Sequence, residues 1–220
     1  KILDAYNGVF LADVVGIGKT YISALLSQQP SLNAAHKLFL VPPILKDYWQ
    51  DTLRRFGVNK FKVESCGQIK NLAKNPSKLD EFEYIFLDEA HRFRNENTQT
   101  WTQLYEKICY GKKIILISAT PLNNRFIDIL SQLKLFQRVN RSNIPTVRNL
   151  QNFFKFWENR VKNAKDRNDY MKVKRDGSKQ IREKILKYVM VRRTRKEIKK
   201  YFKEDLEARK LEFPEVADPI

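Results

Sequence analysis

Through the first 135 residues, short apolar runs alternate with stretches of helical spacing, and this alternation limits the possible fold more than any other feature. The runs Gly8–Ala12 (GVFLA), Lys37–Val41 (KLFLV), Tyr84–Asp88 (YIFLD) and Lys113–Ser118 (KIILIS) are rich in β-formers, and Lys60–Ser65 (KFKVES) is a weaker fifth. Runs without polar alternation predict strands buried on both faces. Helical spacing appears over 21–29, 44–56, 101–109 and 125–136, with Thr100 and Gln103 placed as a capping box for the third. The prediction is an α/β fold with a mostly parallel sheet and helices on both faces.

After about Arg138 the pattern changes. Leu150, Phe153, Phe154, Trp157 and Val161 share one helical face, and Ile181, Ile185, Tyr188 and Val189 share another. At that spacing the Phe153, Phe154 and Trp157 stripe reads as core rather than as a base-stacking surface. Asp176-Gly177 reads as a turn between the two helices, and Thr194 with Glu197 as a capping box for a helix running toward Glu207. The expected organisation is a lobe over 1–138 and a helical, basic extension over 139–220 that includes the end of the lobe. The chain opens on Lys1, almost directly on an apolar run, and is expected to be a piece of something longer.

Charge points to the partner. Lysine and arginine outnumber aspartate and glutamate 42 to 25, and the formal net charge is +17. Residues 1–135 hold 18 basic and 13 acidic side chains, residues 136–220 hold 24 and 12. A basic excess this concentrated favours a polyanion, nucleic acid first, although a well-solvated helical surface fits the same count. Cys66 and Cys109 are too few for a disulfide framework, and with His36 and His91 they form no metal-ligand spacing; the usage fits a reducing cytoplasm. No apolar run approaches the roughly 18 to 20 residues of a membrane span, so no membrane partner is expected.

The candidate chemistry lies where predicted strands end. The first run leads into Asp13-Val14-Val15-Gly16-Ile17-Gly18-Lys19-Thr20 and then a helix opening near Tyr21. Glycines there let backbone N–H groups curl around a phosphate at a helix N-terminus, Lys19 reaches the outer phosphates, and the Thr20 hydroxyl suits a magnesium ion. The run Tyr84–Asp88 ends in Asp88 and Glu89. Adjacent carboxylates at a buried strand end need a cation or hydrogen bonds. Asp88 would hold the metal through water and Glu89 would orient and deprotonate an attacking water; alternatively, both simply cap the next helix. Ser118 and Thr120 end the next strand and suit hydrogen bonds to those carboxylates or to a nucleic-acid phosphate. All three sites fall at the carboxyl edge expected of a parallel sheet, where such folds bind ligands.

The segments LADVVGIGKT, LFLVPPILKDYWQ, DEAHRFRN, SATPLNN and MVRRTRKEI, in this order and spacing, resemble the first motor lobe of Swi/Snf-related ATPases within the DEAD/DEAH-box helicase superfamily, more like the bacterial helicase-like proteins than the eukaryotic remodellers. The resemblance covers about Phe10 to Lys200. It implies a RecA-like P-loop lobe of a cytoplasmic motor that uses ATP and Mg2+ and moves along double-stranded DNA, with RNA also open, when joined to a second lobe.

Carried over by residue, the resemblance makes Gly16, Ile17, Gly18, Lys19, Thr20 and Tyr21 the ATP-phosphate motif, with Thr20 and Asp88 toward the metal and Lys19, Asp88 and Glu89 as the catalytic set. His91, Arg92, Ser118 and Thr120 become the coupling residues, and Pro43, Lys46, Arg192 and Arg193 the nucleic-acid contacts, with Pro42 and Trp49 in the same DNA-side segment as Pro43. Asp13 stands where the family has glycine or alanine, Val14 where many relatives have glutamate, and Ser118 and Ala119 where threonine and glycine are common. The adenine-reading segment is nearly gone and the second lobe is absent, so this piece alone is expected to hydrolyse ATP poorly. Two other readings stay open: a nucleic-acid-binding module with an idle nucleotide site, and a small phosphotransferase.

Overall fold

The protein is described here from a computed structural model, over residues 1–12, 18–118 and 125–192. Six strands form one parallel sheet among these residues: β1 (Gly8–Leu11), β2 (His36–Val41), β3 (Phe61–Ser65), β4 (Phe82–Asp88), β5 (Lys113–Ile117) and β6 (Met190–Val191), in the order β3-β2-β4-β5-β1-β6. The five apolar runs are the first five of them.

Unbroken apolar sequence is what this position requires. Leu38, Leu40, Ile85, Leu87, Ile114 and Leu116 point into one core, while Phe39, Val41, Phe86, Ile115 and Ile117 point into the other. Successive residues thus serve opposite faces, as the strand period of two dictates. Each fully buried Leu, Ile or Phe contributes about 1.5–3 kcal/mol, so a strand buried on both faces is held far more strongly than its few ladder hydrogen bonds would hold it. The helices Lys19–Ser27 and Lys46–Arg55 cover the second face through Ala24, Trp49 and Leu53. The helices Phe126–Leu133, Leu150–Lys162 and Arg167–Ile181 cover the first.

The third predicted helix starts earlier than its expected cap. Thr98, not Thr100, is the N-cap: its side chain accepts from the Trp101 N–H at 3.2 Å, and an α-helical turn over Gln99–Gln103 then widens into a π-helix over Leu104–Cys109. The predicted helical face of 181–189 is correct for Ile181, Ile185 and Val189, which are buried. The chain does not stay helical to Val191, however. Met190 and Val191 pair with Phe10 and Leu11 and become β6, because the open edge of β1 offers ladder partners there. Thr194 and Glu197 lie outside the described residues.

Asp176-Gly177 is not a turn. It lies inside the Arg167–Ile181 helix, and the helix pair separates at 163–166 instead, where Asp166 caps the second helix by accepting from the Asp169 N–H at 2.8 Å. Gly177 is there for proximity: a Cβ would stand 2.6 Å from Phe126 Cζ and 3.0 Å from Trp157 Cε3. Gly177→Ala should therefore destabilise the fold by about 1–3 kcal/mol through overpacking, although alanine in a free helix would gain about 1 kcal/mol over glycine. A urea titration reads the sign directly, and a midpoint shifted upward would disprove the close approach.

Candidate active site at the carboxyl edge

The sheet register gathers the strand ends. Leu11 stands opposite Ile117, and Ile117 opposite Asp88, so β1, β5 and β4 finish in one row. Beyond that row come the phosphate-loop candidates, Ser118 and Glu89. Ser118 is buried and its N–H donates to the Leu11 carbonyl at 3.1 Å, extending the ladder one step past the strand.

Gly18 opens the Lys19–Ser27 helix as its N-cap with φ 77°, the left-handed region. A Cβ there would combine backbone strain with a 3.0 Å approach to the Tyr21 ring, so glycine is required. Lys19 and Thr20 then occupy the first turn, where N–H groups lack helical partners and a negative ligand is favoured. Tyr21 lies on the outer side, its ring tilted on Phe56 at 5.6 Å. Asp13, Val14, Gly16 and Ile17 lie outside the described residues, as do Ala119 and Thr120.

Asp88 is 6% exposed. Its Oδ2 accepts from Trp49 Nε1 at 3.0 Å and its Oδ1 from the Glu89 N–H at 2.9 Å. Burial pushes its carboxyl above the usual carboxylate range; the Trp49 and Glu89 hydrogen bonds and the positive charge of Lys19 offset this only in part. A pKa raised in the folded state means that ionising Asp88 costs folding free energy. Its contribution to stability is best below pH about 3.8 and is lost as the pH rises through the folded pKa. A carboxylate kept buried at that cost, with one donor on each oxygen among the described residues, suits a cation.

Glu89 follows with φ 50° and ψ 47°, a left-handed conformation that costs a non-glycine residue about 1–2 kcal/mol. Its backbone starts the 3-10 turn Ala90–Phe93, and its side chain does not cap that turn. Of the capping alternative only one bond is present, the Asp88 carboxylate on the N–H of Glu89 itself. His91 Nδ1 lies 3.1 Å from Glu89 Oε2, yet misaligned, and this buried nitrogen has no hydrogen-bond partner among the described residues. Arg92 is exposed.

The sequence profile of the SNF2-related domain matches residues 68–213. This chain belongs to the SNF2-related domain family. It is similar to the uncharacterised ATP-dependent helicase YqhH of Bacillus subtilis strain 168, at 26% identity over 162 residues, covering 62% of this chain and 28% of that protein. It is also similar to L538 of Acanthamoeba polyphaga mimivirus, named provisionally as an ATP-dependent RNA helicase, at 26% identity over 146 residues, covering 66% of this chain and 32% of that one. The chain thus spans about a third or less of the length of these curated relatives. In structure it is similar to the Sulfolobus solfataricus SWI2/SNF2 ATPase core in complex with dsDNA, with a TM-score of 0.55 at 19% identity over 85% of this chain and 40% of that one. The fold is RecA-like α/β.

Trp49, in the segment that resembles the DNA-side one, has a part that sequence reasoning missed. It is fully buried, packed on Phe39 at 5.6 Å, and holds Asp88. The usable signal was chemical: a buried acid needs donors, and tryptophan carries one on an otherwise apolar ring. Trp49→Phe should keep the packing, remove the donor and raise the Asp88 pKa further. The acid limb of any ATPase pH profile should then move to higher pH, and an unmoved limb would show that the bond does not tune the site.

The expected nucleic-acid contacts flank the same edge. Pro43 is exposed beside Ile44, which is 89% exposed. Lys46 meets Glu64 Oε2 at 3.0 Å, and Lys62 meets the other oxygen of that carboxylate at 3.3 Å. Burial pulls the Glu64 pKa up, but the two lysine hydrogen bonds outweigh it and hold it below the usual range. Two lysines on one carboxylate leave one cation over, lining a cleft of about 300 Å³. Arg192 is exposed just past β6; Arg193 lies outside the described residues. Among the described residues no cluster of three or more His, Cys, Asp or Glu side chains forms a metal centre, and no helix is long and apolar enough to cross a membrane.

Proposed function

We propose that this SNF2-related domain binds Mg–ATP at the carboxyl edge of its sheet and, joined to a second lobe, hydrolyses it to move on duplex DNA. The observation that supports this reading is the row Leu11–Ile117–Asp88, with Ser118 and Glu89 one residue beyond it and the Lys19 charge near enough to act on Asp88.

Each residue then has a part. The N–H groups of the first turn and Lys19 bind the phosphates and draw charge from the leaving oxygen. Thr20 and Asp88 would hold the magnesium ion, which neutralises phosphate charge and keeps most of its own waters, so a single buried carboxylate suffices and no cage is needed. Glu89 accepts the proton of the attacking water as its oxygen bonds to the γ-phosphorus. The bond from that phosphorus to the bridging oxygen breaks, and ADP leaves with the electron pair. Ser118 is one residue past the partner of Asp88 and His91 is in contact with Glu89, so both are set to report the nucleotide state to a bound strand.

For nucleic acid, Lys46 and Arg192 follow β2 and β6 respectively, four strand spacings or about 20 Å apart along one edge. The test is steady-state turnover of the intact protein with no nucleic acid, duplex DNA, single strand and RNA. Stimulation by duplex supports the reading. Stimulation by RNA alone would reassign the polymer, and absent turnover in every arm would leave a nucleic-acid-binding module.

A further inference from the structure

At the opposite, amino edge of the sheet lies a groove of about 920 Å³, at the upper end of the roughly 300–1,000 Å³ of ligand clefts. It is walled by the turn before β5 and by the segment after the Phe126–Leu133 helix. Its charged lining is Lys112, Lys113, Lys134, Arg138 and Arg141, with no carboxylate among the lining residues. Lys113 and Lys134 are paired with Asp4 and Glu96, and Lys112 donates to the Leu79 and Asp80 carbonyls, which leave its charge uncompensated. Arg138 and Arg141 are exposed and have no ion-pair partner among the described residues.

Two tyrosines complete the groove. Tyr110 is 76% exposed. The backbone that carries it is set by a turn: Tyr110 (φ −57°, ψ 124°) and Gly111 (φ 73°) form the corners of a type II turn closed by the Lys112 N–H on the Cys109 carbonyl at 3.1 Å. Tyr105 already stacks on Trp101 at 5.1 Å and is 38% exposed. A solvent-facing aromatic on a defined turn among uncompensated cations is what a strand of unpaired bases binds: phosphates to the cations, a base to the ring.

We infer that this amino-edge groove binds single-stranded nucleic acid, separately from the carboxyl-edge site. An acidic peptide would meet the cations but has no use for the ring, and duplex presents no free base face to stack.

The experiment is anisotropy of a labelled oligothymidylate of about 15 nucleotides on the intact protein without ATP, across a salt series. Arg138→Ala with Arg141→Ala should weaken binding tenfold or more and flatten the log–log salt slope by about 1.4, two contacts at about 0.7 each. Tyr110→Ala should weaken it at least fivefold with the slope unchanged, and Tyr110→Phe should restore it. All these residues are at the surface, so thermal melts should match the parent. Lys172→Ala with Arg175→Ala, the same charge change on an exposed helix elsewhere, should cost much less. The inference is overturned if the groove variants bind like the parent, if the remote pair loses as much, or if polyglutamate of equal charge competes as well as oligothymidylate. ATP turnover on duplex in the same variants stays as in the parent, so failure here is distinguishable from failure at the motor site.

Discussion

Glu89→Gln in the intact protein is expected to lower turnover by about 10²–10⁴-fold while Mg–ATP still binds. Glutamine keeps the size of the side chain and its reach toward a water but cannot take the proton. The affinity should survive because the groups assigned to the phosphates and metal, Lys19, Thr20 and Asp88, are untouched. The Asp88 carboxylate also keeps both its donors, since the one from residue 89 is a backbone N–H. Nucleotide binding by titration beside single-turnover hydrolysis reads the split. Loss of both together would mean that Glu89 holds structure, and loss of neither would remove it from the chemistry.

Lys19→Ala should fail differently, losing nucleotide affinity along with about 10²–10³ in rate, the range for removing one charge-stabilising donor. A second effect follows from the Asp88 environment. The charge of Lys19 helps keep Asp88 ionised against burial, so without it the carboxyl takes up a proton at higher pH. Residual activity should therefore decline at a higher pH on the acid side than in the parent. A variant with unchanged turnover would sink the phosphate-binding role, and one with lost turnover but an unmoved acid limb would separate Lys19 from Asp88.

The strands were legible because a parallel sheet covered on both faces leaves a plain mark: KLFLV, YIFLD and KIILIS have no polar alternation to confuse with anything else. The carboxyl-edge positions of Asp88 and Ser118 were legible because each stands where an unbroken apolar run ends. What was lost depended on neighbours. Asp176-Gly177 has the local chemistry of a turn, but the faces of Phe126 and Trp157 need a residue without a Cβ, and packing overrode the local preference. Met190 and Val191 continue a helical pattern, yet the vacant side of β1 captures them, and no local spacing reports that edge. Trp49 and Asp88 are 39 residues apart, and only the adjacency of β2 and β4 joins them.

The brevity of β6 has a mechanical meaning. Val191 accepts from the Ala12 N–H at 2.9 Å, so Arg192 is fastened to β1 by a clasp two residues long. Tension on Arg192 along the strand direction loads this clasp in shear, and the first structure to feel the pull is β1. A joint so placed passes a displacement of Arg192 to the strand beside it, with no relay through the rest of the sheet.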